Sequence, residues 1–432
     1  MIFTLKHIKE CNACILKIIK MKICIYFESY YVGGLDTFVC QLINHWDKDD
    51  RLTLLCNHSH SGARLFEQRI SNPNAEVVIH KMPMVYDFVE AFGRLGKIAL
   101  IHKFLMFIGY LFFIPYYILA ACKRLKINKY DSLISINGGY PACVSSRCIN
   151  ISWYLWTRKR SIHNFHNFAV KSSLFTKPFD NFLDRLLNKS VSYFVSVSKS
   201  CAESLRIRNN FKNNTNITYI YNGIGDDTVT PTFKLHSKLG INCGKKILIM
   251  LATYEERKGH KFILDVFKEA CSTLSDVHLL FIGYGTREDM KRVSSYVSQL
   301  GLDDYVSLLD FQSNAMEYLV QSDILLIGSQ SFESFGLTAI EAMKYKKLVL
   351  STNSGGLKEV IEDGKGGYVF DIGDVKGMSN KIVYYLMHNK EMQEQGERGY
   401  LRFQSEFRVD RMAKEYKTLL LMGDVGQNHK NN

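Results

Sequence analysis

The 432-residue chain has no pair of closely spaced cysteines answered by a second such pair further on. Its eleven cysteines follow no repeating interval, and the one close pair, Cys11 and Cys14, has no partner pair downstream. That pattern excludes the usual zinc modules. A cleavable secretory leader is also missing: residues 1–20 carry Lys6, Lys9 and Lys17 around a weak apolar run, without a long apolar core or a small-residue cleavage site. Scattered thiols without a leader fit a reducing cytosol. There is no short-period repeat and no low-complexity tract. No zinc-finger or RNA-binding signature occurs, and the positive charges read as spread along the chain, so nucleic acid is set aside as a partner. What remains is ordinary globular material, 47% apolar and 22% charged, long enough for two or three domains. A net charge of +13 asks for an anionic partner, either a phosphorylated substrate or an acidic lipid surface.

A second methionine, Met21, opens a clean apolar strand, so a start at Met21 is expected, with 1–20 a leader or misread start. From there strands alternate with helical stretches, at 21–27, 51–56, 76–80, 130–136, 193–197 and 217–220. A polar stretch, 225–244, reads as a linker. A second series follows at 246–251, 277–282, 306–309, 324–327 and 348–350. Strands interleaved with helices argue for parallel sheets with crossover helices, hence an α/β chain of two Rossmann-like halves. Residues 104–122 form 19 positions without a formal charge, flanked by Lys103 and by Lys123, Arg124 and Lys126. The length suits a membrane span, but Gly109, Pro115 and three tyrosines weaken that reading. A span here would also part the glycines at 33–34 from the later motifs. Shallow in-plane contact with anionic lipid is the expectation, with a buried core helix as the alternative.

The densest chemical signal is 329–343, SQSFESFGLTAIEAM, which follows a strand and opens a helix near Gly336. Glu333 in the loop and Glu341 in the helix stand eight apart, and both can face the carboxyl end of a sheet, where open α/β folds bind ligands. A carboxylate there can accept paired hydrogen bonds from sugar hydroxyls. The backbone N–H groups of Phe335, Gly336 and Leu337 at the helix start suit an anion such as phosphate. A plain solvated acidic loop would share the same spacing. The run Gly283-Tyr284-Gly285 invites a dinucleotide site, but Glu288 occupies the place of the third glycine, which argues against nicotinamide or flavin.

These motifs resemble, in order, those of the family-4 retaining glycosyltransferases. Glu333 to Glu341 is similar to the family's E-x7-E signature, Gly33-Gly34 to its N-terminal glycine loop, and Tyr221-Asn222-Gly223-Ile224 to its domain-boundary turn. Thr253 to His260 resembles its phosphate loop, 281–285 its strand-plus-GxG, and 353–367 the run that follows the glutamates. The resemblance covers roughly 21–422. It implies the GT-B fold: an acceptor-side domain 21–240 carrying the apolar insert 104–122, and a nucleotide-sugar domain 241–398 facing it across a cleft. A C-terminal helix 399–422 crosses back to the first domain, ahead of a polar tail 423–432.

By the same resemblance, Arg257 and Lys258 clamp the donor's diphosphate, Glu333 holds the donor sugar, Glu341 the ribose, and Gly33 and Gly34 let backbone N–H groups face phosphate. Phe335, Gly336 and Leu337 complete the donor site. Ser161-Ile162-His163-Asn164 resembles the strand-end histidine beside the transferred sugar, with His166 close enough to be confused with it. The implied activity is a retaining, metal-independent transfer from a nucleotide-sugar such as a UDP- or GDP-sugar. The acceptor is a hydroxyl of a glycan or lipid-linked molecule, as in surface polysaccharide assembly. No cofactor is expected, nor a metal, since Arg257 and Lys258 would supply the positive charge that the leaving diphosphate needs. The expected location is cytoplasmic, peripheral on the inner face of the cell membrane. A non-catalytic homologue acting as a membrane-associated partner, or a sugar-nucleotide epimerase, shares the fold; the first would be expected to have lost Glu333, Arg257 or Lys258.

Overall fold

The computed structural model describes residues 20–428, with the side chains of 424–428 left aside. The proposed leader before residue 20 and the last four residues of the polar tail lie outside the described residues.

The chain forms two compact units. One is built from residues up to Gly223 together with those from Val409 onward. Its sheet contains β1 (Lys22–Phe27), β2 (Arg51–Asn57), β3 (Ala75–His80), β4 (Ser132–Asn137), β5 (Ser161–Phe165), β6 (Val191–Ser196) and β7 (Ile217–Tyr219). They pair in the order β3-β2-β1-β4-β5-β6-β7, and every pairing is parallel. The other unit spans Ile224–Arg408. It holds β8 (Lys246–Leu251), β9 (Val277–Ile282), β10 (Val306–Leu309), β11 (Ile324–Ile327), β12 (Leu348–Thr352) and β13 (Gly367–Phe370). These run in the order β10-β9-β8-β11-β12-β13, again all parallel. Parallel strands are covered on both faces, which is why β4, β9 and β11 are buried along their whole length.

Each sheet reverses its strand order once, between β1 and β4 in the first unit and between β8 and β11 in the second. The crevice outside the carboxyl ends of the strands at such a reversal is where this architecture receives ligands.

The domain limits differ from those expected. The first unit ends at Gly223, not 240. The Ile224 N–H donates to Phe407 O at 3.0 Å, and Thr232 donates from both N and Oγ1 to Glu317 Oε2 at 2.6 and 2.7 Å. The polar stretch 225–244 is therefore docked on the second unit and contains a short helix, Leu235–Leu239. The second unit likewise runs past 398: the helix Asn389–Glu406 belongs to it, burying Met392, Gly396, Gly399 and Phe403. The return segment is the helix Val409–Asn428. Met412, Ala413, Tyr416, Leu419 and Leu420 enter the first unit's core, while Lys417 Nζ reaches Asp47 at 2.7 Å and Asp50 at 3.0 Å.

The apolar insert is one helix, Ala99–Arg124. Leu105, Gly109, Tyr110, Ile114, Tyr117, Ile118, Ala121 and Cys122 are buried on one face. That face is tied to its unit: Tyr117 Oη donates to Pro83 O at 2.8 Å, and the Cys122 N–H donates to Ser152 Oγ at 3.0 Å.

Candidate functional site

In the second unit the two loops at the strand reversal are joined. The loop after β8 ends in a single 3₁₀ turn, Glu256–Lys258, then Gly259 at φ +76°, and enters the helix His260–Ala270. A Cβ on Gly259 would stand 1.9 Å from Gly328 O, so only glycine permits this approach to the loop after β11. The Gln330 N–H donates to Arg257 O at 2.8 Å, which completes the join.

This backbone contact brings the charged side chains together. Lys258 Nζ donates to Glu333 Oε2 at 2.5 Å, and Ser329 Oγ approaches the same oxygen at 3.4 Å. Arg257 donates from Nε to Glu255 Oε2 at 2.6 Å and lies over the Phe332 ring, 5.4 Å from its centre. Both cations are partly exposed and so are open to an anion. Glu333 is fixed through its own carbonyl, which accepts from the Gly356 N–H at 2.8 Å.

Gly336 caps the helix Leu337–Lys344 at φ +102°, with Leu357 Cδ2 only 2.6 Å from where a Cβ would sit. Phe335 contributes backbone only, because its ring is buried against Phe407 at 5.9 Å. Glu341 is the fifth residue of the helix, partly buried, with no hydrogen-bond partner or ion pair among the described residues. Burial pushes its carboxyl up to about 7, opposed by Lys344. A half-buried carboxylate without a partner is a vacant acceptor for hydroxyl donors.

In the first unit the loop after β1 carries Gly33 and Gly34, both exposed. Gly33 caps the helix Gly34–Asn44, and its N–H donates to Asp36 Oδ2 at 2.8 Å. The other oxygen of Asp36 meets His60 Nε2 at 2.5 Å, and both residues are buried. Gly33 itself is extended, at φ −173°, with open space where a Cβ would stand. The Asp36–His60 pair was missed from the sequence, although an acidic residue three past Gly33 is the ordinary capping-box signal. Glu28, one residue past β1, was missed as well. It accepts from Tyr30 Oη at 2.6 Å, from Ser145 Oγ and from the Ser146 N–H at 3.2 Å, and burial raises its carboxyl. Those partners tie it to the start of the helix Val144–Thr157 and mark it as a structural group.

His163 is not at a strand end. It is the third residue of β5, fully buried, with Nδ1 2.8 Å from Ser135 Oγ and 3.2 Å from Asn150 Nδ2, and the rings of Tyr140 and Phe194 beside it. Burial lowers its imidazole to about 3, so it stays neutral inside the core. His163 therefore lies inside the sheet and not at the strand end expected of it. The residue that follows the last position of β5 is His166. Its N–H donates to Asn137 O at 3.2 Å, its ring stands 4.2 Å from Phe38, and its buried Nε2, like that of His163, has no partner among the described residues. Burial holds its imidazole at about 3 as well.

The model of the family described as glycosyl transferases group 1 matches residues 232–402. The chain is 29% identical over 222 residues to the N-acetyl-alpha-D-glucosaminyl L-malate synthase of Bacillus anthracis, covering 51% of this chain and 57% of that protein. It is 26% identical over 184 residues to the lipopolysaccharide core biosynthesis glycosyltransferase LpsE of Rhizobium meliloti, covering 43% of this chain and 52% of that one. The chain thus spans little more than half the length of these curated relatives. Among solved structures, Anabaena Alr3699/HepE in complex with UDP superposes with a TM-score of 0.70 at 17% identity, over 93% of this chain and 100% of that chain. At that identity the likeness is one of fold, and the fold is GT-B.

Proposed function

We propose that the chain, whose residues 232–402 match the family of glycosyl transferases group 1, transfers a sugar from a nucleotide-sugar donor to an acceptor hydroxyl with retention of configuration. The observation that carries this reading is the Lys258–Glu333 pair at the β8/β11 strand reversal, with Arg257 beside it and the unpartnered Glu341 one helix turn and a half beyond Gly336.

The roles divide by chemistry. Arg257 and Lys258 bind the donor's diphosphate, where a forked guanidinium and a compact ammonium both match phosphate oxygens. The N–H groups at the start of the helix Leu337–Lys344 add to that positive field. Glu333 accepts hydrogen bonds from the sugar hydroxyls, and Glu341 from the ribose diol. In the transfer step the bond from the anomeric carbon to the diphosphate oxygen breaks and the bond to the acceptor oxygen forms on the same face. The acceptor's proton passes to the departing phosphate oxygen. Negative charge grows on the diphosphate, and the two cations stabilise it without a metal ion or cofactor, an electrostatic contribution that is commonly the largest in such catalysis.

On the first unit's own strand reversal, the Gly33–Gly34 turn offers backbone to a phosphate. His166, held neutral, can exchange hydrogen bonds with a sugar or acceptor hydroxyl through Nε2. The likeness to a structure determined with UDP supports a UDP-type donor, and the likeness to a lipopolysaccharide core enzyme supports a glycan or lipid-linked acceptor.

A thermal-shift screen against UDP, GDP, ADP and their sugar conjugates tests the reading. A ligand at 100 times its dissociation constant adds about 2.7 kcal/mol. Stabilisation by one nucleotide series, lost in Glu341→Ala and Lys258→Ala, is the expected result. Folded protein that responds to none of them overturns it.

A further inference from the structure

The helix Ala99–Arg124 has a second face. Leu100, Phe104, Phe107, Leu111, Pro115 and Leu119 fall on a single helical stripe, and all six are exposed, Leu100 at 69% and Leu119 at 66%. Phe112 stands beside the stripe at 67%. An apolar stripe of that length on a water-soluble unit is normally covered by something.

Neighbouring elements extend it. At one end Phe107 packs on Phe179 at 5.3 Å, in the helix Lys177–Ser190 that also exposes Phe182. Leu174 and Phe175, just before that helix, are 85% and 46% exposed. At the other end Trp156 donates from Nε1 to Leu119 O at 3.3 Å and is itself half exposed. Cations stand over these rings: Lys103 over Phe175 at 5.9 Å, Lys123 over Trp156 at 5.9 Å and Arg124 over Tyr116 at 5.9 Å.

The charge of the chain is not evenly spread, as the sequence first suggested. Residues 91–179 contain thirteen Lys and Arg and one acid, Asp131, a net +12 out of +13 for the whole chain. Of those thirteen cations only Arg147 is buried. The segment that exposes the apolar stripe therefore carries nearly all the excess positive charge.

We propose that this surface of the first unit docks in the plane of a bilayer rich in anionic phospholipid. The stripe and Phe112, Leu174, Phe175 and Trp156 enter the interface, and Lys103, Lys123 and Arg124 meet the headgroups. Apolar insertion together with basic contacts is the two-part anchoring that holds a peripheral protein. A spanning helix does not fit, because the opposite face of Ala99–Arg124 is committed to Pro83, Val85, Phe88 and Ser152. Nucleic acid has the wrong chemistry for a stripe of leucine and phenylalanine that lacks polar groups to read bases. The inference stands whether or not the transferase reading does, since none of these residues belongs to the candidate donor site.

Vesicle flotation of the full chain tests it. Flotation with phosphatidylcholine vesicles containing about 30% phosphatidylglycerol, falling more than tenfold with phosphatidylcholine alone or in high salt, is expected. Phe104→Glu/Phe112→Glu and Lys123→Glu/Arg124→Glu should each lose at least tenfold in partitioning, at an unchanged melting temperature. Four results overturn the proposal. These are no flotation of wild-type protein, equal flotation of both variants, retention after carbonate extraction of membranes, and a dimer in vesicle-free solution that Phe112→Glu dissociates.

Discussion

Lys258 Nζ lies 2.5 Å from Glu333 Oε2, so two motifs 75 residues apart in sequence present one cation and one carboxylate at a single point. Both side chains are about one-fifth exposed, 18% and 20%, which leaves the pair reachable and only partly screened. In the proposed reaction the two separate in role, the ammonium facing phosphate and the carboxylate facing sugar. Lys258→Ala is expected to lower turnover by about 10²- to 10³-fold, the usual cost of losing a group aimed at developing charge. It should also weaken nucleoside diphosphate binding. Glu333→Gln should keep diphosphate binding within about twofold while losing transfer, since hydroxyl recognition and not phosphate is removed. Nucleotide titration beside a transfer assay separates the two outcomes.

Glu341 gives a pH signature. Its carboxyl is raised to about 7 by burial, so the folded chain holds this proton more tightly than the unfolded chain does. The contribution to stability is therefore present at low pH and is lost as pH rises through about 7. A ribose diol donates hydrogen bonds and prefers the ionised carboxylate, so nucleotide affinity should rise with pH. For a group titrating near 7, the ionised fraction grows about tenfold between pH 6 and 8. The nucleotide's own phosphate ionises in the same range, but that part is shared by Glu341→Gln. Isothermal titration at pH 6 and 8 should show the extra pH dependence in wild-type protein and not in the variant.

The sheets were legible because most of their strands are short, unbroken apolar runs, and the loops carrying Lys258 and Glu333 because glycines and charges keep their order. β5 shows where that legibility ends. Its sequence, SIHNF, reads as polar, yet all five residues are buried. Ser161 Oγ donates to Asn150 Oδ1 at 2.6 Å, His163 Nδ1 contacts Ser135 Oγ, and Asn164 Nδ2 donates to Tyr416 Oη at 2.7 Å, 252 residues away. A polar strand can be buried when distant side chains satisfy it, and pattern reading does not see those partners. The misplacement of the strand-end histidine follows directly: with β5 hidden, nothing marked Phe165 as its last residue. The 225–244 stretch failed for a similar reason, since Thr232 and Glu317 meet only in the folded unit.

The two histidines should therefore behave differently. His163→Ala removes a buried ring that serves Ser135 and Asn150, at a cost of about 1–3 kcal/mol. Its melting temperature should fall while specific activity of the folded fraction stays near wild type. His166→Ala leaves those partners intact and should lower transfer about 10- to 100-fold, with nucleotide binding by the other unit unchanged. Melting curves paired with activity per folded molecule decide between this assignment and its reverse.

Asp36 and His60 set up the last test. One Asp36 oxygen holds the Gly33 N–H and the other holds His60 Nε2, so the exposed turn is anchored through a buried pair. His60 is in turn fixed between Phe27 and Phe66. Because Gly33 is extended and unobstructed, its conformation comes from this hydrogen bond and not from steric need. Gly33→Ala should then be nearly silent in stability, within about 0.5 kcal/mol as for an unconstrained surface site. Asp36→Ala strips the cap and leaves His60 unpaired in the core, costing about 1–3 kcal/mol. For a unit of this size that lowers the melting temperature by roughly 2–4 °C per kcal/mol. His60→Gln, which can still donate to Asp36, should recover part of the loss that His60→Ala suffers. If the alanine variant at 36 melts with wild type while that at Gly33 does not, the turn is governed by glycine geometry and the anchoring account fails.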